Sequence, residues 1–139
     1  MLALAKRKLA NIHSLIGLAV APDFTKELIG DTLSNQRKEE VIINDKFSLT
    51  EDLEISYQFI KDGDNNLVLK SPIEFEGSVY LYHGMMDTEV PYKLSEKVLK
   101  KITKSNDVKL ILEKYGEHRL SKNDEIETIK VLLNKISKI

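Results

Sequence analysis

Two polar loops behind apolar runs hold the residues whose types and spacing can move protons. The first is HGMMDTEVP, residues 83–91, which follows the run VYLY. Asp87 hangs one Gly turn past it, and a Pro opens a helical pattern beyond. The second is GEHRLS, residues 116–121, which follows VKLIL and carries His118. A carboxylate accepting a hydrogen bond from imidazole Nδ1–H fixes the tautomer and favours the protonated ring, leaving Nε2 to take a proton from a nucleophile. Spacing alone fits plainer roles as well. Asp87 can cap the next helix or satisfy turn amides, and His118 can be an ordinary loop histidine. His83 reads as a structural residue holding the strand-end loop. His13, inside an apolar run, reads as a hydrogen-bonded core residue. His83, Asp87 and His118 are metal-ligand types, but neither an H-x-x-x-H spacing nor paired carboxylates accompany them. No metal and no cofactor is expected.

For the two loops to meet, their strands must be parallel neighbours, since functional groups gather at the carboxyl ends of strands in an open parallel sheet. The rest of the pattern provides that arrangement. Residues 2–10, LALAKRKLA, are strong helix formers. Residues 12–21, IHSLIGLAVA, are nearly all apolar and predict a strand buried on both faces, ended by Pro22-Asp23. Residues 24–70 predict short helices between polar loops, with Asp62-Gly63-Asp64-Asn65 as a turn and no sustained period-two alternation. Residues 79–83 predict a second strand. Residues 91–103 predict a helix with Leu94, Val98, Leu99 and Ile102 on its apolar side, and 108–112 a third strand. A last helix starts near Ser121, where Ser121 and Asp124 resemble a capping box, and places Ile126, Ile129, Leu133 and Ile136 on one face. This order predicts the α/β class: three parallel strands with right-handed crossovers, flanking helices and a helical insertion. Gly84 and Gly116 are expected to let the chain turn sharply at the two strand ends.

Composition narrows the function classes. The 139 residues suit one domain with a real core, and 42% hydrophobic with 31% charged residues describes a soluble globular protein. Net charge is −1, and the one basic cluster, Lys6-Arg7-Lys8, reads as a solvated helix face, so no nucleic-acid partner is expected. The absence of cysteine excludes disulfides, thiolate catalysis and cysteine-based zinc sites, and fits a cytoplasmic protein. Lys6-Arg7-Lys8, LIGLAVA and Pro22 imitate a signal peptide, but the charges come late and the short apolar run contains Gly17. No run reaches the roughly 18 apolar residues of a membrane span.

The motifs HGMMDTEVP and GEHRLS together resemble the C-terminal third of α/β-hydrolase-fold enzymes. In that family H-G-x-x-D carries the acid of a catalytic triad after the seventh strand, and G-x-H carries the base after the eighth. LIGLAVAPDFT, DGDNNLVLKSPI and HRLS are similar to the serine-hydrolase branch that contains bacterial hydrolases and mitochondrial acyl-protein thioesterases. The resemblance covers essentially the whole chain and implies a partial α/β-hydrolase fold. It matches Asp87 to the triad acid and His118 to the triad base, and IHSLIGLAVA to the sixth strand. Residues 2–10 match the tail of the helix after the nucleophile, and 23–77 match the lid insert that shapes an acyl pocket. In that insert Leu28, Ile29, Leu33, Tyr57, Phe59 and Ile60 offer apolar side chains for such a pocket, and their helical spacing serves packing equally well.

One departure is large. The family's nucleophile sits in a G-x-S-x-G elbow, and no serine here has glycine at both −2 and +2. Ser14 lies inside a strand, Ser78 follows Gly77 but enters a strand, and Ser121 trails His118. The elbow's oxyanion amides are missing with it. The chain is therefore expected to be a single truncated domain made of residues 1–22, the insert 23–77, and 78–139. Its expected function is that of a C-terminal fragment of a serine hydrolase for carboxylic esters or thioesters, inactive alone. The alternative is a non-catalytic interaction domain or a decayed-gene relic. The open strand at 12–21 is expected to pair with a separately encoded N-terminal half or with a second copy of the chain.

Overall fold

The computed structural model describes residues 1–8, 11–30, 35–50 and 53–137. In chain order it contains α1 (Leu2–Lys6), β1 (Ser14–Leu18), a π-helical turn (Thr25–Gly30), α2 (Asn35–Asn44), β2 (Lys46–Thr50) and β3 (Leu53–Ser56). These are followed by α3 (Tyr57–Asn65), β4 (Ile73–Glu74), β5 (Ser78–Gly84), α4 (Lys93–Lys101), β6 (Ile102–Thr103), β7 (Val108–Glu113) and α5 (Asn123–Ile136). Two compact units result, Met1–Pro22 with Val68–Ile139, and Asp23–Leu67.

The first unit is an α/β layer structure built on β5. Parallel pairing runs β1-β5-β7, with Leu15 opposite Val79 and His83 opposite Leu112. Because successive strand residues point to opposite faces, Val79 and Leu81 join Ala5, Leu15, Ile73, Phe75 and Val98 on one side. Tyr80 and Tyr82 join Leu120 and Leu132 on the other. All four β5 residues are at most 1% exposed, which explains their unbroken apolar run: a central parallel strand is buried on both faces. β1 lies at the edge of this sheet and does not share that burial. Leu15 is buried, but Leu18 is 43% exposed, and His13 is exposed rather than a core residue.

Helix ends differ from the sequence pattern for local reasons. Within the expected 2–10 helix, α1 covers Leu2–Lys6, and residues 9–10 lie outside those described. The helix expected to reach 103 stops at Lys101, because Ile102 turns extended (φ −74, ψ 125) and pairs with Ile73 in a short parallel ladder. At α5 the capping interaction uses Glu125, not Ser121 and Asp124: its Oε2 accepts the Lys122 N–H at 2.7 Å. The sheet-facing line of α5 is accordingly Glu125, Ile129, Leu132 and Ile136. Ile126 and Leu133 are 38% and 50% exposed.

The second unit is not wholly helical. β2 and β3 form an antiparallel hairpin with Phe47 opposite Ile55. Phe47 and Leu49 do alternate with polar residues in the sequence, but five residues are too few for a convincing period-two signal. Asp62-Gly63-Asp64-Asn65, expected as a turn, lies inside α3. Gly63 is where α3 meets the π-helical turn: a Cβ there would sit 2.1 Å from Thr25 Oγ1. Ser56 Oγ caps α3 by accepting the Phe59 N–H. Of the apolar residues singled out for a pocket, Ile29 is buried, Phe59 is half exposed with its ring 5.7 Å from that of Phe24, and Leu33 lies outside the described residues. The stretch after Leu67 groups with the sheet: Val68, Leu69, Ile73 and Phe75 are all in its core. Among the described residues no helix is long and apolar enough to cross a membrane.

Candidate active site

Parallel neighbours β5 and β7 end side by side, and their loops are tied by backbone. Met85 N–H donates to Glu113 O at 2.8 Å, and Met86 N–H to Gly116 O at 2.9 Å. Gly84 and Gly116 make that approach feasible. A Cβ on Gly84 would lie 2.2 Å from Gly116 O, and one on Gly116 would lie 3.0 Å from Gly84 Cα. Neither glycine has a positive φ. They are needed for closeness, not for the sharp turn expected from the sequence.

Asp87 leaves this junction with its side chain fully buried. Its two oxygens face different partners. Oδ1 accepts the backbone N–H groups of Glu89 at 2.9 Å and Val90 at 2.8 Å. Oδ2 lies 2.8 Å from His118 Nδ1 and 3.1 Å from His83 Nε2. Burial pushes the carboxyl pKa up. The Val90 amide, the His118 hydrogen bond, the Glu89 amide and the His118 charge together outweigh it and hold Asp87 below the ordinary carboxylate range. Asp87 thus satisfies turn amides and meets an imidazole at once, so the two readings open from spacing are not exclusive.

His118 sits in the loop between β7 and α5. Two residues on, Leu120 adopts φ 46 with only 3% exposure. A left-handed non-glycine backbone persists where its surroundings over-determine it, and here the Leu120 side chain is locked among Tyr80, Tyr82 and Leu132. That anchor holds the loop two residues beyond His118. With Nδ1 on Asp87, the neutral form of the ring keeps its proton at Nδ1 and leaves Nε2 as the acceptor. His118 lines a cavity of about 290 Å³ together with Met86, Thr88, Glu89, Glu117 and Arg119. His118 Nε2 lies 3.7 Å from Glu89 Oε2, on a side chain 67% exposed.

His83 is fully buried on the α4 side of the sheet. Nδ1 lies 2.6 Å from Ser95 Oγ, and Nε2 2.9 Å from Val90 O. Ser95 and Leu120 have no signal in the sequence: one is a lone serine in an amphipathic helix, the other a leucine in a loop. The serines with described partners are engaged elsewhere than at His118. Ser95 meets His83, Ser105 Oγ donates to Gly77 O, Ser137 Oγ donates to Asn134 O, Ser78 meets Tyr80, and Ser56 Oγ caps α3. Among the described residues no group of three His, Cys, Asp or Glu side chains is placed to hold a metal ion.

No family model matches the chain. Palmitoyl-protein thioesterase ABHD10, mitochondrial, of Homo sapiens is 32% identical over 149 residues, spanning all of this chain and 48% of that protein. The structure of alpha/beta hydrolase domain-containing protein 10 from mouse superposes with TM-score 0.83 at 31% identity, covering 97% of this chain and 57% of the other. A hydrolase from Agrobacterium vitis gives TM-score 0.86 at 27% identity, covering 97% and 56%. Est1E from Butyrivibrio proteoclasticus shares the fold, with TM-score 0.72 at 20% identity. The chain spans about half the length of the proteins it matches.

Proposed function

We propose that this chain, which is the C-terminal portion of an α/β-hydrolase, supplies the acid and base of a serine hydrolase for carboxylic esters or thioesters. In this reading the nucleophile is contributed by polypeptide outside these 139 residues. The observation that carries it is the hydrogen bond of 2.8 Å between His118 Nδ1 and the buried Asp87 carboxylate, on a ring that lines a cavity. Asp87 is the orienting acid. His118 Nε2 takes the proton of a serine hydroxyl as that oxygen attacks the acyl carbon. Asp87 stabilises the imidazolium, and Nε2–H then protonates the departing alkoxide or thiolate. Water repeats the cycle on the acyl-enzyme. A thioester preference is supported by the name of the ABHD10 relatives, which also carry the mitochondrial designation; the cysteine-free composition suits any reducing compartment, including the cytoplasm. The docking edge for the serine-bearing segment is β1, whose far edge has no strand partner among the described residues and which exposes Leu18.

The test is hydrolysis of an aryl ester and of an acyl thioester by the 139-residue chain, and by the same chain fused in frame to a segment carrying the G-x-S-x-G elbow. The chain alone is expected to turn over neither and to take no label from a fluorophosphonate. The fusion is expected to be active and to lose that activity on His118→Ala. Fluorophosphonate labelling of a serine in the chain alone, or a fusion indifferent to His118→Ala, would overturn the proposal.

A further inference from the structure

Asp87 serves two imidazoles, and the mechanism above uses only one. His83 Nε2 lies 2.9 Å from Val90 O and 3.1 Å from Asp87 Oδ2. Both are acceptors without a proton to give, so Nε2 must carry the hydrogen and share it between them. Nδ1 is then the acceptor of a neutral ring, and Ser95 Oγ at 2.6 Å is its donor. Every polar site of this buried ring is matched in one tautomer, and the opposite tautomer would set a lone pair against two oxygens. The period-two geometry of β5 directs His83 to the α4 side of the sheet. His83 shares a face with Val79 and Leu81, the face that Val98 of α4 covers, and Ser95 lies one turn before Val98 on that helix.

We propose that His83, oriented by Ser95, is a positioning residue for the Asp87–His118 pair. Its Nε2–H donates to the same Asp87 oxygen that receives His118 Nδ1–H, and pins that oxygen at the imidazole. Without it, Oδ1 is still held by the Glu89 and Val90 amides, but the carboxylate can swing about that anchored oxygen. The shared bond to Val90 O also ties the carboxylate to the loop that carries it. The functional meaning rests on the acid–base reading above, while the geometry can be tested without any turnover.

The experiment uses the full chain labelled with 15N-histidine, whose three histidines are 13, 83 and 118. Long-range 1H–15N spectra near neutral pH report the tautomer of each ring. His83 is expected as the Nε2–H tautomer and His118 as the Nδ1–H tautomer, with the latter proton shifted downfield by the carboxylate. His118 is also faced by Glu89, Glu117 and Arg119, so the comparison between variants is made at one pH. In His83→Phe, the His118 Nδ1–H is expected to exchange with water about tenfold faster, the equivalent of one buried hydrogen bond, and its ring to populate both tautomers. Ser95→Ala is expected to move the same resonances in the same direction by less. His83 found as the Nδ1–H tautomer, donating to Ser95, would overturn the proposal without any variant. So would an unchanged His118 in folded His83→Phe. Should that variant not fold, an unchanged His118 in Ser95→Ala would do the same. In the active fusion, His83→Phe is expected to lower kcat about tenfold at unchanged KM. An active, His118-dependent fusion with the wrong His83 tautomer would sink this inference and leave the hydrolase reading intact.

Discussion

Replacing Asp87 by Asn removes one charge and almost no volume, yet it unbalances every hydrogen bond at the carboxylate. That group accepts four donors: two backbone amides on Oδ1 and two imidazoles on Oδ2. An asparagine has one acceptor oxygen. If that oxygen keeps the amides, its NH₂ faces two ring N–H groups. His83 cannot yield, because Val90 O holds its proton in place. His118 can, by moving its proton to Nε2 and accepting through Nδ1. In the proposed mechanism, His118 then has no lone pair where the serine would stand. In the active fusion this is expected to cost roughly four orders of magnitude in kcat, the size seen when a triad acid imposes the wrong tautomer. The buried groups left mispaired are expected to cost about 2–4 kcal/mol of stability at pH 7, measured by urea unfolding. The pH dependence comes from the sign of the shift. Asp87 is held below the ordinary carboxylate range, so its contribution is complete above about pH 4 and disappears as the pH falls through its folded value. The gap between parent and Asp87→Asn should therefore narrow in acid. A variant within 0.5 kcal/mol of the parent at pH 7 (about the noise of such substitutions), or one whose His118 keeps the Nδ1–H tautomer, would refute this account of the site.

Four other outcomes are expected. Gly84→Ala puts a methyl 2.2 Å from Gly116 O, about 1 Å inside contact; it should lower the unfolding free energy by about 2–4 kcal/mol and broaden the His118 Nδ1–H signal. At Leu120, where φ is 46, glycine should be at least as stable as alanine in urea, the reverse of their usual order, because only glycine escapes the strain. Glu89→Gln removes an exposed partner 3.7 Å from His118 Nε2 and should change thermal stability by less than about 0.5 kcal/mol. Asp107 is held down to about 2 by the Tyr80 hydroxyl and Lys109; its contribution is present above about pH 4 and lost as the pH falls through 2, so Asp107→Asn should flatten the urea midpoint across that interval.

The parts of the fold that are legible in the sequence are those where one physical requirement dominates. The unbroken run at residues 79–82 announces a strand buried on both faces, and β5 is that strand. The two polar loops behind apolar runs announce strand ends, and parallel pairing of β5 with β7 brings Asp87 and His118 within 2.8 Å. The features that stay hidden depend on competing terms. Gly63 reads as a turn because glycine is permissive, whereas it sits in α3 for lack of room beside Thr25. Ile102 fits the helical period of α4, yet pairing with Ile73 wins. The β2–β3 hairpin is too short for alternation to stand out against chance. Ser95 and Leu120 act through positions that only the folded chain brings to the site.

This order of dependence bears on how a nucleophile from outside could be used. His118 is oriented by Asp87, Asp87 by two amides and His83, and the loops by a glycine-to-glycine contact, all within the sheet unit. Nothing in that sequence of contacts waits for a serine. In the proposed function, the entropy of ordering Asp87 and His118 is therefore met by folding this portion, and an incoming segment would have only to place its hydroxyl at Nε2. Had His118 been held only by exposed pairs such as the one to Glu89, docking would also have to order the imidazole, at a further cost in rotamer freedom. A base already fixed in the Nδ1–H tautomer in the isolated chain is the signature of the first case.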